Sequence, residues 1–327
     1  MTRRDLLKGI ERWRFVPAGV ADPAGKRVFV VDAQSGIAAA AVADGEQFWS
    51  SGAAAVPLIA LNGALLAATR SAPATFVLLD ATSGQAVSAP IVAPPELSPS
   101  GEWWPTAVWR EEKAIVVAWQ NRAAAEGALA VDPQSGTVAP WSGGLQSAER
   151  PKGRRSAGTD LTFFRSADGS AEPWRAGDRM AALVVDTHRG KERLRLMTWD
   201  AADGGEVEST ELARPLPRTG YLAHHRSPDT EHLFLLSCND RDEEGAPAGT
   251  RCTWLVFRVS DGKKIAELPN PDGLLPPLAV VGNRLFYVES GEKLVKRGTT
   301  ARRLCAVDTK SARLVWSRDL VWAQEKR

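Results

Sequence analysis

Two adjacent histidines are the side chains best suited to acid–base chemistry in this sequence. His224 and His225 lie in the segment 220–226, which we interpret as a β-strand. An imidazole titrates near neutral pH, so either residue could act as a general base. Successive residues of a strand point to opposite faces, which argues against one metal ion held by both. The alternative is that both imidazoles are structural or solvated.

An acidic segment and three cysteines are the other groups with possible chemistry. Residues 240–244 begin like a calcium loop, but Arg251 stands where the twelfth position needs a glutamate, which favours a solvated acidic loop. The cysteines form no C-x-x-C motif, and the sequence has no G-x-S-x-G, H-E-x-x-H, Walker or G-x-G-x-x-G motif. We therefore expect no resident metal and no cofactor.

Composition narrows the possible functions further. The chain has 327 residues, of which 44% are hydrophobic and 24% charged, as in soluble globular proteins. A net charge of +2 argues against a protein that coats nucleic acid, and no apolar stretch approaches the ~18 residues of a membrane span. The 28 glycines and 21 prolines favour many short strands joined by turns over helices.

A pattern of strand, turn and second strand occurs six times along the chain. One turn residue in each copy serves as its marker, and the six markers are Gly45, Gly84, Gly136, Gly204, Gly262 and Ala312. Their mean spacing of about 53 residues is typical of propeller blades. An aspartate four residues before the marker, such as Asp80 before Gly84, can accept hydrogen bonds from the turn, where glycine can adopt a positive φ. We expect these aspartates to be structural.

Two further apolar runs precede most markers, with hinges such as Asn62-Gly63 and Gly282-Asn283 that favour tight hairpins. Each unit is then four strands, A to D. In the first unit we expect them at 13–16, 27–31, 37–42 and 47–50. The predicted fold is all-β, a β-propeller of four-stranded antiparallel blades in one domain over residues 1–327, with a tail at 1–12.

The number of blades depends on the stretch between Gly136 and Gly204. The segment 163–169 echoes 256–262, which would suit a seventh blade. Residues 142–158, however, contain no apolar run that could supply the missing strands, so we interpret them as an inserted loop. Six blades are therefore the prediction and seven the alternative.

A family resemblance rests on three of the repeats. The best matches to the pattern A-x-D-x-x-(S/T)-G-x-x-x-W are Ala306-Val307-Asp308 with Trp316 and Asp44-Gly45 with Trp49. Ala130-Val131-Asp132 comes next, with Trp141 one residue late. This unit resembles the repeat of quinoprotein-type (PQQ-like) β-propellers, which include BamB-like assembly lipoproteins and quinoprotein dehydrogenases. The resemblance implies that the three tryptophans dock between adjacent sheets. A quinoprotein dehydrogenase would also imply adjacent cysteines, which this chain lacks, so PQQ catalysis is not expected.

Long connections cluster on one face of the predicted propeller. The D–A and B–C connections at 94–104, 120–127, 142–158, 239–251 and 290–301 share that face, and only an A–B loop near 166–178 lies opposite. Long loops on a rigid scaffold often carry function. The candidates for partner binding are Trp103, Trp104, Arg150, Lys152, Arg154, Arg155, Asp240 and Asp242. Alternatively, the two tryptophans cover the core and the charged loops are only solvated.

These observations predict a non-catalytic, monomeric scaffold that binds a protein or peptide through the loop face. We do not expect it to bind nucleic acid. The alternative is a propeller enzyme of the lyase, hydrolase or cyclase type, with its site at the channel mouth and His224 or His225 as the base. A small molecule bound in the central channel would favour the enzyme.

The N-terminus and two cysteines bear on the compartment. Arg3-Arg4 resembles a twin-arginine export signal, but Glu11 and Arg12 interrupt the apolar region that such a signal needs. We expect a cytoplasmic location, with a periplasmic or secreted one as the alternative. Cys238 and Cys252 lie on consecutive strands near their shared loop, and a disulfide between them would favour the periplasm.

Overall fold

Strands dominate the part of the chain that the structure describes. This computed structural model describes residues 19–32, 36–69, 72–111, 113–121, 123, 125–141, 162–163, 165–166, 169–170, 173–176, 179–188, 191–200, 204–205, 208–213, 221–226, 231–239, 251–269, 278–290 and 302–319. Every helix or strand assigned within those residues is a β-strand, and there are 27. The fold is a six-bladed β-propeller of small antiparallel sheets, which confirms the predicted class and the predicted number of blades.

The chain divides into two compact units. The two-sheet unit comprises Met1–Arg14, Gly143–Arg226 and Thr230–Pro276. The four-sheet unit comprises Phe15–Ser142, Ser227–Asp229 and Pro277–Arg327. The expectation of one domain over residues 1–327 stays a prediction.

The four-sheet unit contains sheets 1, 2, 3 and 6, each with four consecutive antiparallel strands. Sheet 1 consists of β1 (Gly19–Ala21), β2 (Arg27–Val31), β3 (Ile37–Ala41) and β4 (Gln47–Ser51). Sheet 2 consists of β5 (Val56–Leu61), β6 (Ala64–Ala68), β7 (Thr75–Asp80) and β8 (Ile91–Val92). Sheet 3 consists of β9 (Trp103–Glu111), β10 (Ala114–Asn121), β11 (Glu126–Asp132) and β12 (Thr137–Pro140). Sheet 6 consists of β24 (Ala279–Val281), β25 (Arg284–Ser290), β26 (Arg302–Asp308) and β27 (Leu314–Asp319).

The two-sheet unit contains sheets 4 and 5 and a small separate hairpin. Sheet 4 consists of β13 (Thr162–Phe163), β16 (Trp174–Ala176), β17 (Arg179–His188), β18 (Lys191–Asp200) and β19 (Glu208–Ala213). The hairpin pairs β14 (Arg165–Ser166) with β15 (Gly169–Ser170). Sheet 5 consists of β20 (Tyr221–Arg226), β21 (His232–Asn239), β22 (Arg251–Arg258) and β23 (Lys264–Pro269).

Burial explains the apolar pattern of sheet 1. The middle strand β3 is buried at every position, so both of its faces must be apolar and its sequence is a continuous run of alanines after Ile37. The outer strand β4 buries only Trp49, and its other positions are polar or exposed. The outer strand therefore carries a single residue that packs inward.

The first strand of sheet 1 lies later in the sequence than predicted. It is Gly19–Ala21, which pairs with β2, whereas the expected strand at 13–16 lies outside the described residues. A Cβ atom at Gly19 would lie 2.6 Å from the carbonyl oxygen of Phe29, so the close approach of β1 to β2 requires glycine. The strand that pairs with β2 is thus the short Gly-Val-Ala segment, and the expectation for 13–16 stays a prediction.

The first strand of sheet 4 is interrupted, which corrects the predicted A–B loop near 166–178. Both β13 and β16 pair with β17, at Val184 and Val185 and at Arg179 to Ala181 respectively. The excursion that holds the β14–β15 hairpin therefore lies within strand A, between β13 and β16. Trp174, 1% exposed, packs with Leu183 and Leu196 in the core shared by sheets 4 and 5. After the excursion, strand A therefore resumes at β16, where this buried indole packs into the core.

Candidate functional site

Three connections of sheets 2 and 3 form one surface in the four-sheet unit. We call it the loop platform, and it comprises residues 72–74, 94–102, 121, 123 and 125. The segments join β6 to β7, β8 to β9 and β10 to β11, so the strand order puts all three at the same ends of their sheets. This is the face that the sequence predicts to carry long loops.

Two serines connect the platform segments. The backbone N–H of Ala74 donates to Ser98 Oγ at 2.7 Å, which ties the connection within sheet 2 to the connection between sheets. Asn121 Nδ2 donates to the carbonyl oxygen of Ser100 at 3.2 Å and lies 3.3 Å from Ser100 Oγ. The N–H of Ser98 donates to the carbonyl of Pro94 and closes a local turn. The three loops are therefore held in one arrangement.

Asn121 is the buried centre of this network. The residue is only 3% exposed, and the burial of a side-chain amide is costly unless its hydrogen bonds are made. Asn121 Oδ1 accepts from the backbone N–H groups of Ala123 at 3.0 Å and Ala125 at 2.9 Å. Both ends of the amide are thus in use, and one residue shapes its own loop while it holds the neighbouring one.

The adjacent tryptophans of the predicted surface have different environments. Trp103 is 0% exposed and belongs to the core between sheets 2 and 3, where its ring meets that of Phe76 edge-on with centroids 6.1 Å apart. This placement corrects its assignment to the surface, because a fully buried indole offers no area to a partner. Trp104 is half-buried and stands opposite Gln120 on β10. Of the pair, only Trp104 remains a candidate for contact.

The charged side chains that the structure describes on the platform are acidic. Glu96 and Glu102 are exposed, and Glu126 is exposed at the start of the adjoining strand β11. The other predicted surface residues lie outside the described residues: Arg150, Lys152, Arg154, Arg155, Asp240 and Asp242. The described part of the face therefore has negative charge beside a half-buried tryptophan.

Trp49 joins sheet 1 to sheet 2. Its indole N–H donates to the carbonyl oxygen of Ala81 at 3.2 Å, and its ring lies 5.8 Å from that of Phe29 in its own sheet. A Cβ atom at Gly84 would lie 2.5 Å from Trp49 Cδ2. The marker glycine of sheet 2 therefore has a second role besides its positive φ of 71°, because only a residue without a side chain leaves room for the indole.

Trp316 makes the same type of contact between sheet 6 and sheet 1. The indole N–H donates to the carbonyl oxygen of Val42 at 3.2 Å, and a Cβ atom at Gly45 would lie 2.5 Å from Trp316 Cζ3. Arg284 donates to the carbonyl oxygens of Val42 and Ala43, and Arg318 Nε donates to that of Asp44 at 3.1 Å. These two arginines strengthen the junction, and no repeat pattern in the sequence indicates them.

Trp141 contacts a ring of its own sheet. Its indole meets that of Trp109 edge-on, with centroids 6.4 Å apart at 81°. Its backbone N–H extends the pairing of β12 by donating to Ala128 at 3.1 Å. Docking of Trp141 between sheets stays a prediction.

The turn aspartates act as the sequence predicts. Asp80 Oδ1 accepts from the backbone N–H groups of Thr82 and Ser83 and from the Ser83 hydroxyl. The Ser83 N–H, the Ser83 hydroxyl and the Thr82 N–H stabilise the carboxylate, so the pKa of Asp80 is lowered. The pKa values of Asp132 and Asp308 are lowered by equivalent donors in their own turns. Acceptors used in this way shape the turn, which confirms the structural role.

His224 and His225 lie on β20, the edge strand of sheet 5. The register pairs His224 with Leu235 and His225 with Phe234. Adjacent positions alternate between the faces, so the two residues belong to opposite faces of the sheet. The enzyme hypothesis stays a prediction, and full activity of a His224→Ala/His225→Ala variant would contradict it.

The described residues contain no group of three or more His, Cys, Asp or Glu that could hold a metal ion. Nor does the described part of the chain include a helix that is long and apolar enough to cross a membrane.

Comparisons with known proteins give similarity to solved structures and no family. No protein-family model matches the sequence, and no curated protein matches it. Among solved structures, the chain is similar to the computationally designed Ika8 protein, with 12% identity, 94% of this chain and 87% of that chain covered, and a TM-score of 0.38. It is also similar to BamB from Moraxella catarrhalis, with 14% identity, 92% of this chain and 75% of that chain covered, and a TM-score of 0.31. A europium-containing methanol dehydrogenase has 12% identity, with 96% of this chain and 81% of that chain covered and a TM-score of 0.35.

Proposed function

We propose that this protein is a non-catalytic β-propeller scaffold that binds a protein or peptide through the face that bears the loop platform. The observation that carries the proposal is the pair of links from Ser98 to Ala74 and from Asn121 to Ser100. Loops that are already held in one arrangement lose less conformational entropy when a partner binds. A fixed loop surface on a rigid scaffold is suited to recognition.

The proposed contact residues follow from exposure and from the strand order. Trp104 supplies aromatic area, and Glu96 and Glu102 supply charge at the platform. Trp103 is fully buried next to the platform and is not a contact residue. The remaining residues come from the long connections predicted on the same face: Arg150, Lys152, Arg154, Arg155, Asp240 and Asp242.

Two finer statements belong to this proposal. We infer that the chain is a divergent PQQ-like repeat propeller, and the positions of Trp49 and Trp316 against glycines of neighbouring sheets support that inference. We also infer that it acts as a monomer in the cytoplasm, where its three cysteines would be kept as thiols.

A pull-down with matched variants tests the platform. The test variant is Trp104→Ala/Glu96→Lys/Glu102→Lys, which removes the aromatic area and reverses the charge. Lys310→Glu is the control, because Lys310 is exposed in a turn between third and fourth strands, at the other ends of the sheets. Partner recovery should fall about tenfold or more in the test variant, as when a hot spot is lost, and stay unchanged in the control.

Separate variants Arg154→Glu and Asp240→Lys test the predicted loops beside the platform. Binding that is equally strong in all of these variants would overturn the proposed surface. Thermal unfolding of each variant keeps a folding defect distinguishable from a lost contact.

A further inference from the structure

Two cysteines are register partners in the backbone ladder of sheet 5. The strands β21 and β22 pair without a register shift from His232 opposite Arg258 to Asn239 opposite Arg251. Within that ladder Cys238 is the partner of Cys252, one pair before the strands end. The register therefore brings together two residues that the connection between β21 and β22 separates in the sequence.

The backbone spacing suits a disulfide. Residues directly opposite in an antiparallel pair have Cα atoms about 4.5 Å or about 5.5 Å apart, depending on whether the pair is hydrogen-bonded. Disulfides are found at Cα separations of about 4.4–6.8 Å. Either type of pair falls in that range, so the two cysteines can be joined without movement of the strands.

The pair belongs to the face of sheet 5 that does not pack against sheet 4. Leu233, Leu235 and Phe257 lie in the core shared with sheet 4. Alternation along the strands assigns Cys238 and Cys252 to the other face, which they share with the buried pair Leu236 and Trp254. A bond between the cysteines would therefore not involve the residues of the core shared with sheet 4.

We propose that Cys238 and Cys252 are a redox-active dithiol that forms a reversible cross-strand disulfide at the base of the segment 239–251. The oxidant is a low-molecular-weight disulfide such as oxidised glutathione. The thiolate of one cysteine attacks it, forms a mixed disulfide and releases one small thiolate. The thiolate of the other cysteine attacks the mixed disulfide and expels the second. Two protein thiols are oxidised, one small disulfide is reduced to two thiols, and the two protons pass to the released thiolates.

The proposal goes beyond the scaffold function and does not depend on it. The disulfide would close the loop that carries Asp240 and Asp242, so it would restrict residues of the proposed contact face. In a reducing compartment the pair stays as thiols until the glutathione pool becomes more oxidising, whereas in an oxidising compartment it stays bonded.

Cys305 provides an internal control. It lies on β26 and is 2% exposed, and its register partners are Tyr287 on β25 and Ser317 on β27. Since neither partner is a cysteine and the residue is buried, Cys305 should remain a thiol under the conditions that oxidise the other two.

Thiol counting by mass tests the pair. The folded protein is equilibrated with reduced and oxidised glutathione at graded ratios. It is then quenched with acid, alkylated under denaturing conditions so that buried thiols also react, and analysed intact and as non-reduced peptides. We expect two of the three cysteines to lose alkylation together, with a peptide cross-link between Cys238 and Cys252 and with Cys305 still alkylated. Cys305→Ser should behave as the wild type, and Cys238→Ser should carry a glutathione on Cys252. Alkylation of all three at every ratio, glutathione adducts without a cross-link, or a cross-link to Cys305 would overturn the proposal.

Thermal unfolding gives an independent readout. A bond that closes a loop of about 15 residues should raise the Tm of the oxidised protein by about 4 °C over the reduced protein. The Cys238→Ser/Cys252→Ser variant should show no difference between the two conditions. A cross-link that leaves the Tm unchanged would contradict the role of the bond as a clip. Loss of partner binding in the platform variants would leave this result unaffected, so the two proposals fail separately.

Discussion

Sheets 1 and 2 are joined differently from sheets 2 and 3. At the first junction, Trp49 comes from the outer strand of sheet 1 and packs over Gly84 of sheet 2. At the second junction, none of the residues that the structure describes has an atom within 4 Å of the Cβ position at Gly136. The indole there is Trp103, which comes from the first strand of sheet 3 and packs against Phe76 of sheet 2.

This difference shows that a junction needs buried aromatic volume but does not need it from one position of the repeat. In sheet 2 the place of the docking tryptophan is held by Ser88, which is exposed. A tryptophan from outside the repeat pattern then fills the core between the sheets. Trp103 therefore has a packing role. It is also adjacent to the loop platform, because β9 begins at Trp103, directly after the platform segment 94–102.

The largest expected effect is that of Trp103→Ala. Truncation of a fully buried indole removes its packing and leaves a cavity, which costs about 3–5 kcal/mol of the free energy of unfolding. Trp104→Ala is the matched control, and because Trp104 is only half-buried we expect a cost of about 1–2 kcal/mol. Urea unfolding followed by far-UV circular dichroism measures both. Equal costs would show that Trp103 does not fill this junction.

A pair of alanine substitutions at marker glycines separates turn strain from docking. Gly84 and Gly136 have φ values of 71° and 69°, so the backbone cost of alanine is the same at both, about 1 kcal/mol. At Gly84 the added Cβ also meets the Trp49 ring, so we expect a total cost of about 3 kcal/mol there. The difference between the two unfolding free energies is the measurement. If Gly136→Ala costs as much as Gly84→Ala, the docking contact has no special weight.

The marker of sheet 6 extends the comparison to a turn without glycine. Ala312 adopts φ 53°, and its N–H donates to the carbonyl of Asp308 at 2.9 Å, as in the glycine turns. Ala312→Gly relieves the left-handed strain but gives the unfolded chain more freedom, so we expect a net gain of a few tenths to about 1 kcal/mol. Thermal unfolding should show a small rise in Tm. A fall in Tm would mean that the methyl group makes a contact worth more than the strain.

The features that could be predicted from the sequence are those set by nearby residues. The hinge Asn62-Gly63 and the turn aspartates Asp80, Asp132 and Asp308 depend on hydrogen bonds and φ values within a few positions, and they were found as predicted. The burial of Trp103 depends on which sheet packs against β9, which no local pattern records. The role of Asn121 depends on Ser100, which lies in a different connection. Long-range contacts of this kind carry the candidate site, so the sequence alone placed the face but not its network.

The smallest effect concerns acid, and it should be the same at both junctions. The carboxylates of Asp80 and Asp132 each accept hydrogen bonds from their turn, chiefly from the Ser83 N–H and the Ser135 hydroxyl, and their pKa values are lowered. A group with a lowered folded pKa stabilises the fold fully above its unfolded pKa of about 3.8, and this contribution is lost as the pH falls through the folded pKa. Asp80→Asn and Asp132→Asn should therefore both make the Tm fall less steeply than in the wild type between pH 5 and pH 3. A change confined to Asp80→Asn would show that docking of Trp49 over Gly84, and not the turn alone, sets the response to acid.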